Sequence, residues 1–312
     1  MRRILFVKTS SLGDVVHNCP AVSDAARAAP GAAIDWVVEE AFAEVAAMHA
    51  QVRRAIPVAF RRWRGALWQP RAWSEMGDFR RALREERYDL VIDTQGLLKS
   101  ALLARLATGE RHGLDAASAR EPLAARLYDV RHAVARGLHA VERNRQLAAA
   151  ALGSAIPAAC DYGLRAEGSP PLELPAAYAV LLTMTSRADK LWPEERWIEL
   201  GRLLAARGLR CVLPWGSAEE KARAARVAAG IGDALVPRRM RITELARLMR
   251  AARGVVGVDT GLTHLGAALG VPAVGIYLSS EPRLTGLHAG ARVRNLDAPD
   301  AAAVHAALGE LA

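Results

Sequence analysis

The residues best suited to chemistry lie just after short apolar runs. Asp259-Thr260-Gly261-Leu262-Thr263-His264 follows the run Val255 to Val258 and is followed in turn by Gly266, Ala267 and Ala268. Here a carboxylate ends a strand, the N–H groups of Thr260 and Gly261 open a helix, and an imidazole sits in its first turn. Such a helix end suits a diphosphate, because the dipole and the exposed N–H groups both favour an anion. Gly261 allows close approach of a ligand to the backbone, and the small residues let the helix lie tight on a sheet. A second segment, Thr183 to Lys190, precedes a helix starting near Pro193, and its Thr185, Ser186 and Lys190 suit the same kind of group.

In the N-terminal half, Lys8-Thr9-Ser10-Ser11-Leu12-Gly13-Asp14 joins a strand to a helix. Its N–H groups, hydroxyls and Lys8 could hold an anion. Asp14 either caps the helix or acts as a general base, and His17 is either a second acid–base group or a packing residue. Arg61, Arg62 and Arg64 sit on a loop after a third strand, where planar guanidinium forks suit carboxylates and phosphates; a solvated charge run has the same composition. Gln95 and Lys99 stand where a fourth strand turns into a helix. Arg120 with Glu121, and His139 with Glu142 and Arg143, are weaker candidates, for which surface ion pairs are the alternative. The glycine spacing of a dinucleotide fingerprint is missing, as is the Gly-Lys-Ser/Thr ending of a phosphate loop.

These residues need a scaffold that brings strand ends together. Strands are predicted at Ile4 to Val7, Ile34 to Val38, Val52 to Val58 and Leu90 to Asp93, and again at Tyr178 to Leu182, Leu209 to Leu213, Ala234 to Pro237, Val255 to Val258 and Ala273 to Tyr277. Helical spacing fills the intervals, from Val15 to Ala28 and Trp73 to Glu86 and then from Pro193 to Arg207, Ala218 to Ala229, Thr243 to Arg250 and Gly261 to Leu269. This is the βαβ rhythm of a parallel sheet, run twice. Between the runs, Gly163, Gly168, Pro170, Pro171 and Pro175 form the densest Pro/Gly cluster. The expected organisation is an N-terminal domain over 1–161, a linker over 162–177 and a C-terminal domain over 178–312, with ligands in a cleft at the carboxyl ends of the two sheets.

Composition narrows the classes. The 312 residues are 52% hydrophobic and 24% charged, which fits a folded two-domain chain and not a disordered one. A net charge of +9 favours anionic partners. Only 5% of residues are aromatic and no nucleic-acid motif accompanies the arginines, so nucleic acid is disfavoured. Cys19, Cys160 and Cys211 are too far apart for a disulfide framework or a cysteine metal site and fit a reducing cytosol. The apolar run Ile4 to Val7 stops at Lys8, too short for a signal peptide, and no uncharged apolar stretch approaches the length of about 18 residues or more that spans a membrane.

The chain resembles the glycosyltransferases of family 9 that build the lipopolysaccharide core. The resemblance runs through nearly the whole sequence, in KTSSLGDVVHNCPA from Lys8, DWVVEE from Asp35, RRWR from Arg61, QGLLKS from Gln95, AREPLA from Ala119, HAVERNR from His139, DKLWPEERW from Asp189, LPWG from Leu213 and DTGLTHLGAA from Asp259. It implies a two-domain GT-B fold and transfer of L-glycero-D-manno-heptose, with inversion, from ADP-heptose to the inner Kdo of Kdo2-lipid A. The N-terminal segments favour the member that adds the first heptose.

By the same resemblance Asp14 matches the base, while Lys190, Thr185, Ser186, Thr260, Gly261 and His264 match positions at the leaving diphosphate. Asp259 matches a donor-site position facing the heptose, Glu220 one facing the ribose and Met240 one beside the adenine. Ser10, Ser11, Arg61, Arg62, Arg64, Gln95, Lys99 and Arg120 become acceptor candidates. Ser186 stands where threonine is commoner, and Ala188 where a polar residue is. No Asp-Xaa-Asp motif is present, so neither metal nor cofactor is expected. An acceptor anchored in the inner leaflet implies a cytoplasmic protein held peripherally at an anionic membrane surface. The alternatives are a relative that adds the second heptose or uses another nucleotide sugar or acceptor and, more remotely, a non-catalytic binder of nucleotides or nucleic acid.

Overall fold

A computed structural model describes residues 1–170 and 172–311. The chain divides into two compact units, Met1–Leu164 and Arg165–Ala312. Pro171, part of the Pro/Gly cluster, lies outside the described residues. The stretch read as linker begins inside the first unit: Tyr162 is buried, Ala50 N–H donates to the Gly163 carbonyl at 2.8 Å, and His49 bridges Leu164. Gly163 has a φ of +59°, and a Cβ there would lie 2.6 Å from the His49 ring, so only glycine closes this turn. Further on, Arg250 donates to the Ala166 carbonyl at 3.2 Å, fixing that residue to the second unit.

The first sheet comprises β1 (Arg3–Val7), β2 (Ala33–Glu39), β3 (Val52–Val58), β4 (Arg87–Asp93), β5 (Thr108–Leu114) and β6 (Val130–His132), in the spatial order β3-β2-β1-β4-β5-β6. The second comprises β7 (Tyr178–Leu182), β8 (Arg210–Val212), β9 (Ala234–Leu235), β10 (Gly254–Val258), β11 (Ala273–Tyr277) and β12 (Val293–Asp297), in the order β12-β11-β10-β7-β8-β9. All pairings are parallel. Read within each unit, the two orders are the same doubly wound arrangement. The sequence reading missed β5, β6 and β12.

The central strands are almost wholly apolar because helices cover both faces. On one face of the first sheet, Trp63, Phe79, Leu83 and Leu103 pack against Leu5, Val7, Val37 and Val91. The helices Leu12–Ala28 and Ala140–Leu152 pack together, pinned by Arg145, whose side chain is 4% exposed and pairs with the buried Asp24 at 2.6 Å. In the second unit Trp192 and Trp197, 4.9 Å apart edge to face, join Leu181, Leu200 and Val256.

Candidate active site

Each sheet reverses its winding at one point, between β1 and β4 in the first and between β10 and β7 in the second. Connections leave such neighbours in opposite directions, so the carboxyl ends of the two strands frame an open crevice.

In the second unit this juxtaposition assembles residues 69 positions apart. Lys190 lies on the turn Ala188–Lys190 after β7, and Asp259 directly follows β10. The Lys190 ammonium donates to Asp259 Oδ2 at 2.5 Å. Ser280, after β11, donates its hydroxyl to the same oxygen at 2.6 Å. His264 Nε2 stands 3.5 Å from Asp259 Oδ1, and Thr185 donates its hydroxyl to the Asp259 carbonyl at 3.0 Å. The side chains of Lys190 and Asp259 are only 17% and 11% exposed. Burial alone would raise the Asp259 carboxyl, but His264, Lys190 and Ser280 hold it well below the usual carboxylate range. The carboxylate therefore stays ionised and orients an ammonium, an imidazole and a hydroxyl around one point.

That point faces the start of the helix Gly261–Ala268, with Thr260 as its N-cap residue. The helix is drawn onto the sheet by the Thr263 hydroxyl, which donates to the Val258 carbonyl at 2.8 Å. A Cβ on Gly257 would lie 2.1 Å from that hydroxyl oxygen, and one on Gly266 3.1 Å from Val255. Helix dipole, ammonium and imidazole thus converge where a diphosphate would gain most. Of the other donor candidates, Ser186 is exposed beside the Arg187–Asp189 ion pair. Glu220 accepts from the Gly216 N–H at 2.6 Å at the opening of the helix Ala218–Ile231. Met240 is buried ahead of the helix Ile242–Arg250. Ser280 was missed by the sequence reading; its signal was a hydroxyl pair, Ser279-Ser280, just past a strand's carboxyl end.

In the first unit the loop after β1 is not the open anion cradle the sequence suggested, because its donors are already used. The N–H groups of Thr9 and Ser10 both donate to Gln95 Oε1, at 2.7 and 3.2 Å, and Gln95 Nε2 donates back to the Ser10 carbonyl. The Lys8 ammonium is buried and donates to the Thr94 carbonyl at 2.9 Å and to Asn144 Oδ1 at 3.3 Å. Burial holds it below its usual pKa, although Asp14 and Asp93 pull the other way. Gln95 and Lys8 are thus the ties between the ends of β1 and β4. Asp93 supports the same loop, accepting from Tyr128 at 2.7 Å and from the Gln95 N–H at 2.8 Å.

Half-buried Asp14 accepts from the Ser11 N–H at 2.7 Å and its hydroxyl at 3.2 Å. Both contacts are to Oδ2, so capping the helix also fixes the carboxylate's orientation. Lys99 donates to the Ser10 hydroxyl at 3.2 Å. Arg120 is exposed on the loop that packs against Gly96. Arg143, one of the weaker candidates, donates to the Ser118 carbonyl at 2.7 Å.

The arginine cluster lies on a short helix, Phe60–Arg64, and not on the expected loop, because Trp63 turns inward to the core. Arg62 pairs with Glu40 at 3.0 Å and Glu75 at 2.6 Å. Arg61 stands 5.7 Å from the Phe42 ring centroid, and Arg64 is exposed. Among the described residues no group of His, Cys, Asp and Glu is placed to hold a metal ion.

Two doubly wound α/β units make a GT-B-like fold, with the cluster around Asp259 at the switch point of the second. Residues 76–304 match the model of glycosyltransferase family 9 (heptosyltransferase), and the chain belongs to that family. It is 50% identical to lipopolysaccharide heptosyltransferase 1 of Pseudomonas aeruginosa over 293 residues, covering 93% of this chain and 82% of that protein. It aligns with the E. coli heptosyltransferase WaaC with ADP at a TM-score of 0.93 and 46% identity, covering 99% of this chain and 100% of that one. With WaaC bound to ADP-2-deoxy-2-fluoro heptose the TM-score is 0.90 and the identity 45%, over 99% and 100% of the two chains. The family read from the motifs is the family these comparisons give.

Proposed function

We propose that the chain transfers L-glycero-D-manno-heptose from ADP-heptose to the inner Kdo of Kdo2-lipid A, inverting the anomeric centre. The observation that carries this reading is the 50% identity to a lipopolysaccharide heptosyltransferase 1 over a match that spans both units. Inversion takes one in-line displacement. The Kdo hydroxyl oxygen attacks the anomeric carbon, its proton passes to Asp14, and the bond from that carbon to the β-phosphate oxygen breaks with release of ADP.

Charge accumulates on the departing diphosphate, so donors already aimed at it lower the barrier more than they tighten the ground state. Lys190, Thr185, Ser186, His264 and the Thr260–Gly261 helix end fill that role. Asp259 fixes Lys190 and His264 and faces the heptose, with Glu220 at the ribose and Met240 beside the adenine. Lysine and a helix end do the work of a cation, so no metal or cofactor enters the reaction. Ser10, Ser11, Arg61, Arg62, Arg64, Lys99 and Arg120 serve the Kdo carboxylates and phosphates of the acceptor, which the enzyme meets at the cytoplasmic face of the inner membrane, while Gln95 holds the loop that carries Ser10 and Ser11.

The roles separate in an experiment that reads binding and turnover independently. Asp14→Ala should abolish transfer while calorimetric ADP binding is unchanged; surviving transfer would dismiss Asp14 as the base. Lys190→Ala should weaken ADP binding and slow transfer together.

A further inference from the structure

Among the described residues, the large hydrophobic side chains that stand exposed all belong to the first unit. The most prominent are Trp68, 78% exposed, and Trp73, 61% exposed, with Leu67 beside them. Trp73 lies in the first turn of the helix Pro70–Arg84, and its indole N–H donates to the Leu67 carbonyl at 2.8 Å, tying the helix start to Leu67. Exposed Leu98 and Leu102, one turn apart on the helix Leu98–Leu106, form a second patch with Leu123. These are linked through Glu121, whose Oε2 accepts from the Leu98 N–H at 2.6 Å. Lys99 joins the two patches, its ammonium 6.0 Å from the Phe60 ring centroid at the start of the helix Phe60–Arg64 that precedes the two tryptophans.

These exposed apolar side chains belong neither to the core nor to the candidate active site, and Lys99 and arginines beside them are acceptor candidates named above. Contiguous exposed apolar groups on a folded domain mark an interaction surface, and the charge around these ones says which kind. Residues 60–73 hold four arginines and no acid; the carboxylates that meet them are Glu40 and Glu75. Lys99 and Arg105 share the helix of Leu98 and Leu102, and Arg120 and Arg126 flank Leu123 along the chain, against one acid, Glu121, between Arg120 and Leu123. Indoles with a polar edge and an apolar body settle at the membrane–water boundary, and clustered basic side chains are drawn to anionic headgroups.

We propose that this face of the first unit docks on an anionic phospholipid bilayer, with Leu67, Trp68 and Trp73 entering the headgroup–acyl boundary and the arginines meeting lipid phosphates. The inference deepens the reading of the enzyme as acting on a membrane-anchored acceptor and rests on it for its purpose, but the docking itself is measurable without substrate. It says which surface of the protein faces the membrane.

The test uses the full chain and vesicles of phosphatidylethanolamine and phosphatidylglycerol, with phosphatidylcholine vesicles as the uncharged comparison. Co-sedimentation should favour the anionic vesicles. Lipids brominated in the upper acyl chain should quench part of the tryptophan fluorescence, since Trp36, Trp63, Trp192 and Trp197 are buried and out of reach. Trp68→Ser, and Trp68→Ser with Trp73→Ser, should weaken vesicle binding by about tenfold or more and remove most of the quenching, with thermal unfolding unchanged; Trp68→Phe should restore binding.

On Kdo2-lipid A in vesicles the Trp68→Ser variant should turn over about tenfold more slowly at limiting lipid, and on the deacylated, water-soluble acceptor at the wild-type rate. Wild-type protein that ignores anionic vesicles, or a Trp68→Ser/Trp73→Ser variant that binds and is quenched like wild type, would overturn the proposal. Transfer to neither acceptor would defeat the functional reading and leave the vesicle result to stand or fall by itself.

Discussion

The cluster around Asp259 makes a quantitative prediction about stability that can be tested without substrate. Lys190→Met removes the ammonium 2.5 Å from a carboxylate that is 11% exposed, leaving Ser280 and His264 as its donors. Breaking a buried pair on one side costs about 3–5 kcal/mol; the remaining donors and the partial exposure of Lys190 bring the expected loss to about 2 kcal/mol. Asp259→Asn strands the ammonium and should cost about 3 kcal/mol. The two changes remove one interaction, so the double variant should lose less than the sum, by about 1–3 kcal/mol.

The pH dependence fixes the sign. The Asp259 carboxyl is depressed in the folded state, so its stabilisation is complete above the unfolded value of about 4 and is lost as pH falls through the folded value. The stability gap between wild type and Asp259→Asn should be flat above about pH 5 and narrow only below about 4. Urea unfolding of the four proteins, followed by circular dichroism and tryptophan fluorescence, reads both effects. Additivity within about 0.5 kcal/mol, or a gap that widens on acidification, would refute the coupling.

Other expectations follow from buried groups in the first unit and from the absence of a metal in the proposed reaction. Arg145→Met should destabilise the chain by about 3–5 kcal/mol in urea, because it leaves Asp24 buried beside the Pro157 and Ala159 carbonyls that the guanidinium also holds. Burial lowers the His49 pKa to about 4, while the ring accepts from the Gln51 N–H through Nδ1 and contacts Ser23 and the Cys19 carbonyl through Nε2. Protonating Nδ1 would break the first contact, so stability should fall as pH drops below about 6.5 and level off near the folded value; a His49→Gln variant should lose that slope in unfolding measurements at stepped pH. Transfer activity should be unchanged by exhaustive chelation with EDTA, and a loss restored by a divalent cation would contradict the metal-free reaction.

What could be read from the sequence was the interior. The central strands carry continuous apolar runs because both faces are covered, and those runs are visible without a structure. The three missed strands are edge or near-edge elements: β5 reads Thr-Gly-Glu-Arg-His-Gly-Leu, β6 is three residues long and β12 is largely polar. Their pairing comes from neighbours that lie far along the chain. The same limit applied to the site. Asp259 to His264 and Lys190 stood out by residue type, but their meeting depends on β10 lying next to β7, a consequence of winding and not of composition. Likewise Gln95 and Lys8 looked like ligand contacts until the adjacency of β1 and β4 made them structural ties. Trp63, inside a run of arginines, concealed a core residue and with it the short helix.

The central claim is heptosyl transfer to Kdo, and the most direct measurement incubates the purified protein with ADP-heptose and Kdo2-lipid A and follows the acceptor by mass spectrometry, with Asp14→Ala alongside. The account predicts a gain of one heptose, absent in the variant. A gain only on lipid already carrying a heptose would move the acceptor to the next step of core assembly, and no gain on either would contradict the claim.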